Sequence, residues 1–382
     1  MDYWEVIDNL YNVTLSLTFY ILMILMLHIG RKGIKGNNKY GGISTIICGV
    51  CFLIFGYYNS IVRFFPYPFN GFMIWWIWIN LIVNFTFIEI IKKTIKKMDF
   101  DRGKVEINEG KKRPLQRYIE KLSYESPYRE EFPVKKEMIR KSFHLMGFIL
   151  ILGYFGFFTL LYPLARIIND TLLVVFNQFP PVYEIIWGPL SLYPFSSGDP
   201  QAIIYLTMMG LIGSLIFAII SDIIRVIWGP EYSIFNYLTH SMLRNKEMNA
   251  TGPQIYIITG IIFSYMLYMA GIIHILVFFA GLLIACLSDA AAALIGKKYG
   301  KHKVTVRSKD TKSIEGFLAG MIVAYVIGLI LVGPIYAIIG AIIFFITDYF
   351  PIYTADNILN PIFIPLGIQI FIFLLGLPVG WF

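Results

Sequence analysis

Long apolar runs alternate with short polar loops along most of the chain. Each run approaches the roughly 20 residues that an α-helix needs to cross the hydrocarbon core of a bilayer. Helices are favoured over strands, because a lone strand leaves its backbone groups unpaired in lipid. The pattern therefore predicts an all-α, polytopic transmembrane helical protein with about ten spans. The predicted spans are 13–30, 43–65, 72–91, 138–164, 203–227, 251–270, 272–295, 314–333, 334–350 and 361–381.

The distribution of polar residues predicts three regions. A three-span extension occupies 1–97, a polar linker 98–137, and a seven-span domain 138–382. The linker carries charges of both signs, which is typical of a solvated segment, here with one surface helix. The chain opens with Met1-Asp-Tyr-Trp-Glu, which is acidic where a signal peptide would be basic, so we interpret the first apolar run as a retained helix.

Composition supports a membrane protein. Hydrophobic residues make up 57% of the chain and charged residues 15%, against about 25% charged in soluble domains. Two of the three cysteines, Cys48 and Cys51, form a C-x-x-C pair. No second pair and no nearby histidine completes a redox or zinc site, so we interpret them as packing residues in a membrane helix.

The basic residues predict the orientation of the spans. Lysines and arginines concentrate after the first, third and seventh spans and before the fourth, whereas the opposite loops are poor in them. Positively charged loops stay in the cytoplasm, so the termini are predicted outside and the basic loops inside. The net charge of +8 is then a topology signal that also favours anionic lipid headgroups. No module with aromatic residues interleaved among basic ones indicates nucleic-acid binding.

The loop after the seventh span is the richest in candidate chemistry. Asp289, at the end of an apolar helix, is a costly charge unless it meets water or a cation, and a carboxylate there suits Mg²⁺ with a bound polyphosphate. Gly296 and Gly300 allow close backbone approach to a ligand. Lys312 precedes an apolar helix for which Ser313 is a candidate N-cap. The alternative is an ordinary basic loop with a capped helix.

Three further polar clusters fall at the same predicted face. Arg140 and His144 share one helix face, so they offer a phosphate clamp and a proton carrier, although interface anchoring and a structural histidine are equally open. Arg244 and Glu247 lie in a charged loop ahead of Thr251, a candidate cap. Asp348 precedes the pair Asp356-Asn357, which offers oxygen ligands at the same face as Asp289, and Pro361 suits a helix start.

These residues together resemble a known family. Ser288-Asp289-Ala-Ala-Ala-Ala-Leu-Ile-Gly296-Lys-Lys-Tyr-Gly300-Lys301, closing with Lys312-Ser313-Ile-Glu315-Gly316, resembles the signature shared by CTP-dependent lipid kinases (dolichol, phytol and diacylglycerol kinases) and phosphatidate cytidylyltransferases. The kinase branch is favoured by three similarities: Arg140-Lys141-Ser-Phe-His144 to its R-K-x-x-H motif, Arg244-Asn-Lys-Glu247 with Thr251-Gly252 to its R-x-x-E…T-G element, and Asp356-Asn357-Ile-Leu-Asn-Pro361 to its D-N-x-x-x-P element. The K-R-x-x-x-x-K-D and H-G-G stretch of the cytidylyltransferases is absent, whereas Ser288 stands where kinases often have glycine.

The resemblance covers about residues 138–381 and implies phosphorylation of a membrane lipid alcohol, dolichol or another polyprenol, by CTP. It implies Mg²⁺ held by Asp289 with Asp356 and Asn357, and phosphates held by Lys301 and Lys312. Arg140 would steady the transferred group, and His144 or Glu247 would accept the alcohol's proton. Further candidate nucleotide-binding residues are Lys141, Arg244, Ser313, Gly296 and Gly300.

The expected setting is a multi-pass protein of a prokaryotic plasma membrane or the endoplasmic reticulum, with its active site facing the cytoplasm. A CDP-lipid cytidylyltransferase is the nearest alternative. A transporter is the alternative of a different class, although charges near the midplane and related halves are not evident. The sequence leaves open the lipid, the oligomeric state and the role of the first three spans.

Overall fold

A computed structural model describes residues 2–102, 114–123, 138, 162–195, 201–234, 236, 250–306, 310–350 and 354–380. Helices dominate these residues, which confirms the all-α class. Their bounds are α1 Tyr3–Lys35, α2 Lys39–Ile61, α3 Phe69–Arg102, α4 Pro114–Ser123, α5 Tyr162–Gln178, α6 Pro180–Trp187, α7 Gln201–Ile227, α8 Pro253–Met269, α9 Ile275–Leu283, α10 Asp289–Tyr299, α11 Ile314–Val332, α12 Pro334–Tyr349 and α13 Asp356–Leu375.

Seven helical segments of the described chain are long and apolar enough to cross a membrane. They are α1, α2, most of α3, the C-terminal part of α7, the continuous segment α9–α10, α11 and α13. The shorter apolar helices α8 and α12 coincide with two more predicted spans. Nine of the ten predicted spans therefore have a helical counterpart, whereas 138–164 lies almost wholly outside the described residues.

The structure differs from the prediction at several boundaries. Helix α13 begins at Asp356, five residues before the predicted span, so Pro361 lies inside the helix and not at its start. Helices α5 and α6 occupy a segment predicted as loop. An antiparallel hairpin, β1 Lys303–Val306 and β2 Asp310–Ser313, forms in the basic loop, with Lys303 opposite Ser313. The alternation in β1, with Val304 and Val306 on one face, covers only four residues, and β2 has no apolar residue, so the periodic pattern did not predict the hairpin.

Two hydrophobic clusters form the core. The larger joins the first three helices to α7 and α8, through side chains such as Phe19, Phe55, Ile212 and Ile262. The smaller packs α9, α11, α12 and α13 together. Cys48 and Cys51 are free and buried in the larger cluster, which confirms their interpretation as packing residues. Within the described part of the chain, the N-terminal helices are thus packed into the core of the bundle.

Tertiary contacts place eight helix ends together at one end of the bundle, which we call the site end. These ends are the C-termini of α1, α7, α10 and α12 and the N-termini of α2, α8, α11 and α13. Lys32 donates to the carbonyl of Val226, joining α1 to α7, and Lys312 contacts Asp348 and Asp356. At the opposite end, Gly333, with φ of +90°, makes the tight turn between α11 and α12, a conformation that favours glycine.

Candidate active site

Three carboxylates converge at the site end. Asp289, Asp348 and Asp356 each place one ligand oxygen within 4.8 Å of the others. Asp289 and Asp348 are buried, with Asp348 only 1% exposed, and Asp356 is partly buried. We call these three residues the acid cluster. The sequence predicted Asp289 and Asp356 as metal ligands and named Asp348 without giving it a role.

Each carboxylate lies on a different helix. Asp289 begins α10 directly after a π-helical turn, Ile284–Ser288, that interrupts the regular helix between α9 and α10. Asp356 begins α13, where the positive end of the helix dipole favours an anion. Asp348 lies in the last turn of α12, where the dipole is unfavourable to an anion. Of the three carboxylates, Asp348 therefore gains the most stabilisation from a neighbouring cation.

Lys312 contacts two members of the acid cluster. Its Nζ lies 2.5 Å from Oδ1 of Asp348 and 3.8 Å from an oxygen of Asp356. It also donates to the backbone carbonyl of Asp348 at 3.0 Å. Lys312 therefore lies within reach of two of the three carboxylates.

The donor set fits a divalent metal such as Mg²⁺. Oδ2 of Asp348 is buried and has no hydrogen-bond partner in the described structure. The hydroxyl of Ser288, next to Asp289, is likewise buried without a partner. Unpaired buried oxygens are costly, and oxygen-only carboxylate sites suit hard cations. Asn357, also predicted as a ligand, donates its backbone N–H to the carboxylate of Asp356 at 3.0 Å.

Three glycines bring α10 against the start of α11. An added Cβ on Gly300 would lie 2.2 Å from the carbonyl oxygen of Gly296 and 2.5 Å from Ser313. One on Gly316 would lie 2.5 Å from the carbonyl of Ala292. Gly296 and Gly300 therefore permit a close approach to this chain's own backbone, and that contact brings Ser313, the residue after Lys312, against α10.

Ser313 caps α11, as predicted, by accepting the N–H of Gly316 at 3.1 Å. Close by, Nδ1 of His302 lies 2.7 Å from a carboxylate oxygen of Glu315, which also accepts the backbone N–H of His302. These contacts tie the start of the β-hairpin to the start of α11. Lys301, immediately before His302, is exposed at the same place, where it remains a predicted phosphate ligand.

Thr251 does not act as the cap that the sequence suggested. Gly252 occupies the N-cap of α8 and makes no side-chain cap, because the Thr251 hydroxyl instead contacts Thr45 of α2 at 2.9 Å. The backbone N–H of Gly252 donates to Asp222, which also pairs with Arg225 at 2.7 Å. This buried pair on α7 was not predicted. Two charges inside an apolar run are costly to bury, but the run does not indicate which loop they contact.

The remaining predicted site residues lie outside the described residues. They are Arg140, Lys141, His144, Arg244 and Glu247. Their predicted roles in phosphate binding and proton transfer stay predictions. Their neighbours Ala250 and Thr251 are described and lie at the site end, where the carbonyl of Ala250 accepts a hydrogen bond from Arg225 at 2.6 Å.

Comparison with proteins of known activity adds independent evidence. The chain is 30% identical over 149 residues to the CTP-dependent diacylglycerol kinase 1 of Saccharomyces cerevisiae, covering 39% of this chain and 47% of the yeast protein. It is 28% identical over 120 residues to the protein of the same name from Eremothecium gossypii, covering 31% of this chain and 34% of that protein. The chain is similar to CTP-dependent lipid kinases. This confirms the resemblance that the sequence motifs indicated.

The similarity to these kinases is partial. The matched region spans less than half of the length of each of the two relatives. No protein-family model matches the chain, and no solved structure does. The dolichol and polyprenol substrates implied by the motifs do not appear in the relatives' names, which specify diacylglycerol.

Proposed function

We propose that the protein transfers the γ-phosphoryl group of CTP to the hydroxyl of a membrane lipid alcohol, giving a lipid monophosphate and CDP. The observation that carries the proposal is the acid cluster beside Lys312 at one end of an apolar helical bundle. Phosphoryl transfer needs positioning and charge neutralisation more than covalent chemistry by the protein. The site end offers both, next to the region where a lipid headgroup would lie.

In this proposal, Asp289, Asp348 and Asp356 hold Mg²⁺. When bound, the ion neutralises charge that develops on the phosphates. Lys312, whose Nζ lies 2.5 Å from Asp348, would donate to a phosphate oxygen. Lys301, exposed on the loop before the hairpin, adds a second positive charge toward the nucleotide. The unpaired Oδ2 of Asp348 supports this arrangement, because a cation would satisfy it.

The other predicted residues complete the proposal. Arg140, Lys141 and Arg244 would steady the phosphates. Either His144 or Glu247 would accept the proton of the lipid hydroxyl, as a positioned general base. The basic loops support a site that faces the cytoplasm, in either a prokaryotic plasma membrane or the endoplasmic reticulum.

For the lipid, diacylglycerol is the first substrate to test, since both relatives are named for it. A polyprenol such as dolichol, which the R-K-x-x-H resemblance implied, is the second. Both present a hydroxyl at the membrane interface with apolar tails below it. The same acid cluster and lysine would serve either headgroup.

The test uses the full chain in detergent with γ-labelled CTP, Mg²⁺ and a panel containing diacylglycerol and polyprenols. We expect label in one organic-soluble product, no label with γ-labelled ATP, and loss of transfer in Asp289→Asn. Asp170→Asn, which makes the same change at an aspartate paired with Arg166 on α5, should retain activity. If label reaches no lipid from folded protein, the kinase is refuted. Incorporation from α-labelled CTP would instead identify a cytidylyltransferase.

A further inference from the structure

The proposed function assigns no role to α1 and α2, which together we call the N-terminal hairpin. Its second helix, α2, nevertheless contacts the site end through two adjacent hydroxyls. Ser44 and Thr45, one turn into α2, are both completely buried. Their partners, Ala355 and Thr251, lie 311 and 206 residues away along the chain. Hydroxyls inside a span usually bond back to their own helix, so long-range contacts by both call for an explanation.

Ser44 contacts the residue that immediately precedes the acid cluster's third carboxylate. Its Oγ accepts the backbone N–H of Ala355 at 2.9 Å, and it donates its own proton to the carbonyl of Tyr40 at 2.8 Å. Ala355 is the N-cap of α13, and its side chain cannot cap the helix. The start of α13 is therefore fixed from α2, and Asp356 is the next residue.

Thr45 contacts a second segment of the chain at the site end, the turn that precedes α8. Its Oγ1 lies 2.9 Å from the hydroxyl of Thr251 and accepts the backbone N–H of that residue at 3.3 Å. The hydroxyl of Tyr256 is also within 3.3 Å of it. The turn that enters α8 and the turn that enters α13 are thus both fastened to neighbouring residues of one helix.

Resting on the proposed function, we propose that Ser44 is a positioning residue for the metal site. By fixing the backbone at Ala355, it keeps Asp356 within reach of Asp289 and Asp348, so the N-terminal hairpin is part of the catalytic unit. Groups that orient metal ligands without touching the metal typically contribute about 10–100-fold to affinity. Removing the Ser44 hydroxyl should therefore weaken divalent-cation binding even though Ser44 is not a ligand.

The test measures Mn²⁺ binding to the full chain in detergent by electron paramagnetic resonance, with no nucleotide or lipid. We expect Ser44→Ala to raise the Kd about tenfold, at the lower end of that range. The matched control is Ser16→Ala, at a buried serine of the same hairpin whose Oγ accepts a hydrogen bond from Asn59 at 2.9 Å. It should lower thermal stability without changing the Mn²⁺ Kd.

Each outcome is decisive. An unchanged Kd in Ser44→Ala, an equal loss in Ser16→Ala, or no Mn²⁺ binding by the wild-type protein would overturn the inference. Mn²⁺ binding that depends on Ser44, in a protein that phosphorylates no lipid from CTP, would refute the kinase while leaving the positioning role intact. In an active enzyme, Ser44→Ala should also raise the Mg²⁺ concentration for half-maximal rate about tenfold, with the KM for lipid unchanged.

Discussion

The contact between Lys312 and the acid cluster leads to a quantitative prediction for Lys312→Met. The substitution removes the ammonium 2.5 Å from Asp348, a carboxylate whose side chain is 1% exposed. Three carboxylates then remain with oxygens within 4.8 Å of one another. At an effective dielectric constant of about 20, each pair repels by about 3.5 kcal/mol at that distance. Methionine keeps most of the side-chain volume, so the loss is one of charge and not of packing.

Removing one partner of a buried ion pair costs about 3–5 kcal/mol. Because the Lys312 side chain is 29% exposed, we expect the lower end, about 3 kcal/mol. That corresponds to a fall in Tm of about 5 °C, measured by tryptophan fluorescence during heating in metal-free detergent. Saturating Mg²⁺ should restore most of the loss, since the cation takes over the neutralisation of Asp348. CTP-dependent activity should stay low, because the proposed contact of Lys312 with a phosphate is lost.

Two comparisons separate this electrostatic explanation from general damage. Lys303→Met changes an exposed lysine of β1 and should leave the Tm within about 1 °C, as exposed ion pairs contribute little. The double substitution Lys312→Met with Asp348→Asn removes both charges and should recover stability relative to the single variant. The reasoning is refuted if the metal-free Tm of Lys312→Met equals the wild-type value, or if the double variant is less stable than the single one.

Three further predictions concern the same end of the bundle and one helix that supports it. Asp289→Asn should lower kcat/KM for CTP at least 100-fold, or about 3 kcal/mol of transition-state stabilisation; activity above a tenth of wild type would contradict its role. Gly300→Ala should lower the Tm and the solubilised yield, because the added Cβ would lie 2.2 Å from a backbone carbonyl oxygen. The control Gly210→Ala should change neither, because nothing lies within 4 Å of its added Cβ. Equal Tm values for the two variants would count against the packing argument. Ser264→Ala should lower the free energy of unfolding by about 1–2 kcal/mol. The Ser264 hydroxyl donates to the carbonyl of Pro361, which lacks its usual helical donor because Pro365 has no N–H. In a thermal double-mutant series, Ser264→Ala should therefore cost less when Pro365→Ala is also present.

Much of the fold follows from the sequence, since apolar runs of span length dictate helices in lipid. The predicted bounds of α11 and α12 differ from the structure by one residue, because Pro334 and Ser313 mark their starts unmistakably. The start of α13 was placed five residues late, because Asp356 and Asn357 are polar and a hydropathy criterion excludes polar first turns. The β-hairpin was not predicted for a related reason, because six of its eight residues are polar and the two valines of β1 are too few to indicate a strand.

The candidate site was predictable in composition but not in geometry. Asp289 and Lys312 could be singled out because charges at the ends of apolar helices are expensive. Asp348 was indistinguishable from an ordinary charge at a span end until the fold placed it against Lys312, which also faces Asp356. The contribution of Ser44 had no sequence signal at all, because a serine in a membrane helix commonly bonds only to its own backbone. Long-range pairing of this kind depends on the tertiary fold.

The π-helical turn Ile284–Ser288, which precedes Asp289, has a consequence for how this protein tolerates insertions and deletions. A π turn accommodates one residue more than the regular helix around it. Deleting one residue inside the π turn would let the helix become regular while the side chains after it keep their orientation around the axis. The same deletion in the regular helix α9 would rotate every later side chain by about 100°, and Asp289 would leave the acid cluster although no ligand had been substituted. The effect of a one-residue deletion in this span therefore depends on whether it falls inside the π turn.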